Sequence, residues 1–182
     1  MTETIRRYDA SAVNGLKDQI VEAYITAHAN QQQDPFYQRP RFRRQLEGHM
    51  TAPGWEIAVA EDDGEIVGFA YGFALPPTTA WWKGLIGDVP EGFVTETGQR
   101  TFALSELNVR PRYQGRGLAG RLYRELLSNR TEERATLLTE PDNAAHAIYA
   151  HWGWSKVAKL RPSWEGAPVF DVLILPLHKR GS

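Results

Sequence analysis

The chain has 182 residues, enough for one domain with a real core, and its 42% hydrophobic and 24% charged content excludes an intrinsically disordered segment. A net charge of −1 excludes a general electrostatic attraction to nucleic acid or to an anionic membrane, and no stretch is long and apolar enough to span a bilayer. There is no cysteine, hence no disulfide, no thiolate nucleophile and no cysteine metal ligand. No metal site is expected, and a cytoplasmic address is expected, since residues 1–7 are not followed by the apolar run of a secretory signal.

Residues 5–8 suit a short first strand. Ser11 is placed to N-cap a helix whose apolar stripe is Val13, Leu16, Ile20, Tyr24 and Ala27. Gln31-Gln32-Gln33-Asp34-Pro35 ends that helix, and a second, more basic helix is expected over 41–50. Trp55, Ile57 and Val59 alternate as a strand, and Glu61-Asp62-Asp63-Gly64 is a turn. The next strand carries Val67, Phe69, Tyr71, Phe73 and Leu75 on one face and Gly68, Ala70, Gly72 and Ala74 on the other. That bare face either packs closely on a helix or leaves room for a ligand.

Residues 76–98 have little periodicity and form a long loop, of the kind that binds ligands or closes over them. A strand over 102–109 precedes a helix over 118–130, with Leu118, Leu122 and Leu126 on one stripe. A strand over 135–139, a short helix over 143–152 and strands over 154–160 and 169–177 complete the chain. The order β-α-α-β-β-β-α-β-α-β-β is a mixed α/β (α+β) sheet in a single domain spanning 1–182.

The loop Arg110-Pro111-Arg112-Tyr113-Gln114-Gly115-Arg116-Gly117 joins a strand to a helix. A helix N-terminus offers unpaired N–H groups and partial positive charge, which attract phosphate. Gly115 and Gly117 let backbone approach a ligand, and Arg112 and Arg116 add charge-assisted donors. Gly115, Gly117 and Gly120 also spell a dinucleotide fingerprint, with Glu140 downstream. That reading fails because a polar segment, 110–114, separates the glycines from the strand, and because only one β-α-β unit is evident.

These residues resemble the GNAT superfamily of N-acetyltransferases. Its coenzyme A loop reads Q/R-x-x-G-x-G/A, matched here by Gln114, Gly117 and Ala119 after Val109-Arg110-Pro111. Tyr149-Ala150-His151-Trp152-Gly153-Trp154 is similar to the family's Y-x-x-x-G-F segment, with tryptophan for phenylalanine. The resemblance covers nearly the whole chain. It implies direct attack of an amine on acetyl-CoA in a ternary complex. It implies that Leu107, Asn108 and Val109 pair with the pantetheine arm. Gln114, Gly115, Arg116, Gly117, Leu118 and Ala119 would hold the pyrophosphate. Tyr149 would contact the coenzyme and protonate the leaving thiolate. An asparagine often stands seven residues before that tyrosine; here Asn143 stands six before it and Asp142 seven. Asn143 is therefore a displaced candidate for coenzyme contact.

An attacking ammonium must first lose a proton. Glu106 lies within the apolar strand Phe102-Ala103-Leu104-Ser105-Glu106-Leu107, where burial would raise its pKa toward the working range. The resemblance also places a base carboxylate on this strand. The alternative is a structural acid bonded to backbone or arginine. Asp171, in the apolar strand Val169-Phe170-Asp171-Val172-Leu173, invites the same two readings, and His146 and His151 lie on the tyrosine helix.

For the acceptor, Trp81, Trp82 and Phe93 together with Asp88, Glu91 and Glu96 in the long loop suit a cationic amine. Alternatively the tryptophans close the core or a dimer contact. Tyr24, Phe36, Tyr37 and Phe42 form a second aromatic group, on the segment that caps the acceptor site in the family. The substrate-side candidates are thus Trp81, Trp82, Tyr37, Glu106 and Asp171. The expected reaction is acetyl transfer from acetyl-CoA to a primary amine of a small molecule, with no nucleic acid or membrane partner and a homodimer left open. A protein N-terminus or lysine as acceptor, a longer acyl donor, and a non-catalytic acyl-CoA sensor are the alternatives.

Overall fold

The computed structural model describes residues 3–177. Its elements are β1 (Thr4–Asp9), α1 (Lys17–Ala27), α2 (Arg39–His49), β2 (Glu56–Asp62), β3 (Glu65–Ala74), β4 (Leu85–Ile86), β5 (Thr101–Val109), α3 (Leu118–Leu127), β6 (Arg134–Thr139), α4 (His146–His151), β7 (Ser155–Leu160) and β8 (Phe170–Pro176). This is the expected mixed α/β order with one addition, the two-residue β4 inside the 76–98 loop. Residues 1–2 and 178–182, the ends of the domain expected over 1–182, lie outside the described residues. No described helix is long and apolar enough to cross a membrane.

The chain divides into two compact units: residues up to Phe73 with Leu104–Arg130, and Ala74–Ala103 with residues from Thr131 onward. In the first, β1, β2 and β3 are antiparallel neighbours, with Ile5 opposite Ala60 and Ile57 opposite Tyr71. Every residue of β3 from Ile66 to Ala74 is buried, so both its faces are packed. A Cβ on Gly68 would come within 3.0 Å of Leu122 Cδ1 and 3.2 Å of the Asn108 carbonyl. At this position the bare face of β3 serves close packing on α3, whose Leu118, Leu122 and Leu126 are fully buried.

Ser11 does not cap α1. Asp9 Oδ1 accepts from the N–H groups of Ser11 and Ala12 and from the Ser11 hydroxyl, and α1 begins only at Lys17, with no side-chain cap. A carboxylate accepting several donors outcompetes a lone hydroxyl for this turn.

In the second unit β6 is antiparallel to β8, β8 to β7 and β7 to β4, while Thr101, Phe102 and Ala103 of β5 run parallel to β6. The long loop is anchored by an acid. Glu96 Oε1 accepts from Trp82 Nε1 at 2.9 Å, Thr101 Oγ1 at 2.7 Å and Arg134 Nη2 at 3.1 Å. Arg134 also lies 4.4 Å over the Phe93 ring. The helix expected over 143–152 starts later, at His146, because Asn143 Oδ1 takes the Ala145 N–H in a turn before it.

Candidate active site

The loop after β5 has a geometry that suits an anion. Pro111–Tyr113 forms one 3₁₀ turn, pinned when the Tyr113 hydroxyl donates to Asp62 at 2.7 Å. Gln114 turns back, its Nε2 donating to the Val109 carbonyl at 3.0 Å. Gly115 and Gly117 both have φ of +75°, where side chains are strained, and Gly117 stands at the N-cap position of α3. A Cβ on either would meet nothing within 4 Å, so the space over the loop is open. With no side-chain cap on α3, the first N–H groups of the helix are available to an anion. The donor set fits a pyrophosphate: exposed Arg112 and Arg116, left-handed glycines and a bare helix start. Sequence reading missed Glu3, a buried acid that pairs with Arg121 and lies 3.9 Å from Arg116.

Glu106 is the centre of a second cluster in the same unit. Its Oε1 accepts from Gln45 Nε2 at 2.8 Å, and its Oε2 accepts from Asn108 Nδ2 at 2.9 Å. Burial pushes its pKa above the usual carboxylate range, opposed by those two hydrogen bonds and by the charges of His28 and Arg41. Part of the residue still reaches the surface. Tyr71 places its hydroxyl 3.2 Å from Gln45 Nε2 and 3.0 Å from His49 Nδ1. Burial, then the Glu106 charge, raise the Tyr71 pKa, so this phenol stays protonated. Burial, with help from Arg41, pushes His49 down to about 4, so it is neutral around pH 7.

An aromatic wall adjoins this cluster. Tyr24 stacks on Phe42 with ring centres 3.7 Å apart, His28 lies 4.5 Å from Tyr24 and 4.7 Å from Tyr37, and Arg41 sits 3.7 Å over Phe36. Glu106, Asn108, Tyr37 and the loop residues Gln114 to Ala119 thus belong to one unit. Leu107, Asn108 and Val109 lie past Ala103, where the ladder with β6 ends.

Tyr149, Asn143, Trp81, Trp82 and Asp171 belong to the other unit. Tyr149 is half-buried on α4 and meets Trp152 and Trp154 edge-on, at 6.0 and 6.2 Å. Asn143 is exposed, and its side-chain oxygen is engaged in the turn before α4. Trp82 is 7% exposed with its N–H given to Glu96, which makes it a pillar of the loop. Asp171 lies 2.9 Å from both Lys156 Nζ and His146 Nε2. Burial would raise its pKa, but those two partners hold it below the usual value, so it stays ionised. Asp171 has the geometry of a structural acid rather than a base.

The profile of the GNAT acetyltransferase family matches residues 17–154. The chain belongs to that family. Its members are acetyl-CoA-dependent acyltransferases with a mixed sheet like the one described above. It is 33% identical over 104 residues, 52% of its length, to a GCN5-like protein acetyltransferase of Mycobacterium tuberculosis, and that match spans only half of the curated relative. Its fold is similar to the ribosomal-protein-S18-alanine N-acetyltransferase from Escherichia coli, with TM-score 0.67, 17% identity and coverage of 99% and 97% of the two chains. It is also similar to an aminoglycoside 6'-acetyltransferase type Ii, with TM-score 0.65, 18% identity and coverage of 98% and 99%. At such identities these structures speak for the fold.

Proposed function

We propose that this GNAT chain transfers an acetyl group from acetyl-CoA to a primary amine of a small molecule, with Glu106 as general base. The observation that carries the reading is Glu106 itself. It is a carboxylate held by neutral amide donors, raised by burial and partly open to the surface. A base of that kind works where an ammonium must be deprotonated near neutral pH. Tyr37 and Phe36, both half-buried, offer aromatic surface for the acceptor.

Acetyl-CoA supplies an acyl group already activated as a thioester. Gln114, Gly115, Arg116, Gly117, Leu118 and Ala119 would bind its pyrophosphate, and the backbone of Leu107, Asn108 and Val109 its pantetheine arm. Glu106 takes the ammonium proton at a carboxylate oxygen, so the nitrogen lone pair is free to attack. Attack forms the C–N bond and breaks the C–S bond; by the family resemblance Tyr149 would give its phenolic proton to the departing sulfur and regain one from the second proton that the nitrogen sheds. Trp81 is assigned to the acceptor side. Trp82, Asn143 and Asp171 are assigned to holding their own elements in place, given the contacts each already makes.

A protein acceptor is the second reading, favoured by the mycobacterial relative, which is a protein acetyltransferase. Both readings meet in one experiment. Acetyl-CoA is mixed with polyamines, amino acid derivatives, aminoglycosides and lysine- or amino-terminal peptides, and release of free thiol is followed. Turnover on a small amine, lost in Glu106→Gln, is the expected result. Turnover on peptides alone moves the acceptor to protein, and no thiol release with any amine overturns the enzymatic reading.

A further inference from the structure

We propose that His28 is a positioning residue for Glu106: through the carboxamide of Asn108 it fixes the hydrogen bond that Glu106 receives, and so the pH at which Glu106 ionises. The consequence for catalysis rests on the reading of Glu106 as base; the effect on ionisation does not.

Three side chains lie in series. His28 Nε2 is 2.8 Å from Asn108 Oδ1, and Asn108 Nδ2 is 2.9 Å from Glu106 Oε2. A carboxamide has a donor end and an acceptor end, and its orientation follows from its partners. An anionic Glu106 needs the NH₂ end. The oxygen then faces His28, so Nε2 must carry a proton. If the amide turned over, its oxygen would face the carboxylate and a donor bond would be lost. His28 is the lock against that reversal. Its own ring contacts Tyr24 at 4.5 Å and Tyr37 at 4.7 Å, and Nδ1, 2.7 Å from the Gln31 carboxamide, accepts from the NH₂ end of that amide when Nε2 carries the proton.

The other groups facing Glu106 are known by element. Tyr24 comes from α1, Arg41 and Gln45 from α2, and Tyr71 from β3. Gln45 supplies the other carboxylate oxygen with its donor. Both the Asn108 hydrogen bond and the His28 charge act on Glu106 in the same direction, favouring the carboxylate. Losing His28 removes the second and loosens the first.

The test is a carboxyl ¹³C NMR titration of protein labelled at glutamate, with the Glu106 signal assigned by its loss in Glu106→Gln. In His28→Leu the midpoint of Glu106 rises by about one pH unit. In His28→Gln it rises less, because the Gln amide N–H still donates to Asn108. If His28→Leu fails to fold, His28→Asn replaces it, being too short to reach Asn108. A midpoint equal to wild type in the Leu or Asn variant overturns the proposal, as does an equal displacement in His28→Gln. The acid limb of thiol release from acetyl-CoA, with the amine found active, should move with the midpoint. If the Glu106→Gln rate profile matches wild type while the midpoints still shift, the base reading falls and the positioning role stands.

Discussion

Each unit carries an acid within a strand, Glu106 in the first and Asp171 in the second, and the two are held differently. In the first, Glu106 is held by the neutral amides of Gln45 and Asn108, and its pKa is pushed up by burial. In the second, Glu96 faces the Arg134 guanidinium, and Asp171 pairs with Lys156 and His146. A neutral donor stabilises a carboxylate enough to tolerate burial but leaves proton uptake within reach. A cation at contact distance removes that freedom. The difference separates an acid that can work as a base from acids that hold the fold together.

The largest expected effect breaks this contrast at Glu106. Glu106→Gln should lower kcat by about 10²–10⁴-fold, the usual worth of a positioned base, while acetyl-CoA still raises the melting temperature as in wild type. The acid limb of the rate profile should vanish. Stability should move the other way. A carboxyl whose folded pKa is raised gives its full stability below the unfolded pKa and loses it as pH rises through the folded pKa. The glutamine variant carries no such loss, but its NH₂ end faces one of the two amide donors, so the sign to read is the trend: its melting temperature should gain on wild type as pH rises through the folded pKa. A gap that widens against the variant as pH rises would show Glu106 to be a structural acid like the other two.

Glu96 comes next, with the largest effect on stability. Its side chain is 0% exposed, and it accepts from Trp82, Thr101 and Arg134, whose own side chain is 10% exposed. Glu96→Ala leaves a buried guanidinium without its anion, which costs about 3–5 kcal/mol in denaturant unfolding. A loss under 1 kcal/mol would mean that Arg134 is satisfied by the Phe93 carbonyl and ring alone.

Much of this was legible in the chain and some could not be. The loop proposed to hold pyrophosphate is a local pattern, so its glycines, the helix start and the lead-in from Arg110 could be read directly. The alternation of Trp55, Ile57 and Val59 and of residues 67–75 marked β2 and β3, while the two-residue β4 is too short to show a period. Glu106 and Asp171 looked alike, each a lone acid in an apolar run. What distinguishes them are partners distant in sequence: Gln45 lies 61 positions from Glu106, and His146 lies 25 from Asp171. His28 was invisible for the same reason, its contact with Asn108 spanning 80 positions. Trp82 read as an acceptor-side aromatic because nothing local shows that its N–H is taken by Glu96. Ser11 was misread because Asp9, two residues earlier, accepts from both its hydroxyl and its amide, and α1 begins only at Lys17.

The smallest expected effect is the sharpest test of the contrast, because Asp171 is the acid most easily confused with Glu106. Its pKa is depressed: burial pushes it up, and Lys156 and His146 more than offset that. A depressed folded pKa gives stability that is present above the unfolded pKa, about 4, and is lost as pH falls through the folded value. Lys156 is 44% exposed, so solvent screens its share of the pairing. Asp171→Asn should therefore cost only about 1 kcal/mol near neutral pH, and the gap in melting temperature between variant and wild type should close below about pH 4. The acid limb of acetyl transfer should stay where it is in wild type. A displaced acid limb would mean that Asp171 also titrates during turnover, and the line drawn between neutral-held and cation-held acids would fail in this protein.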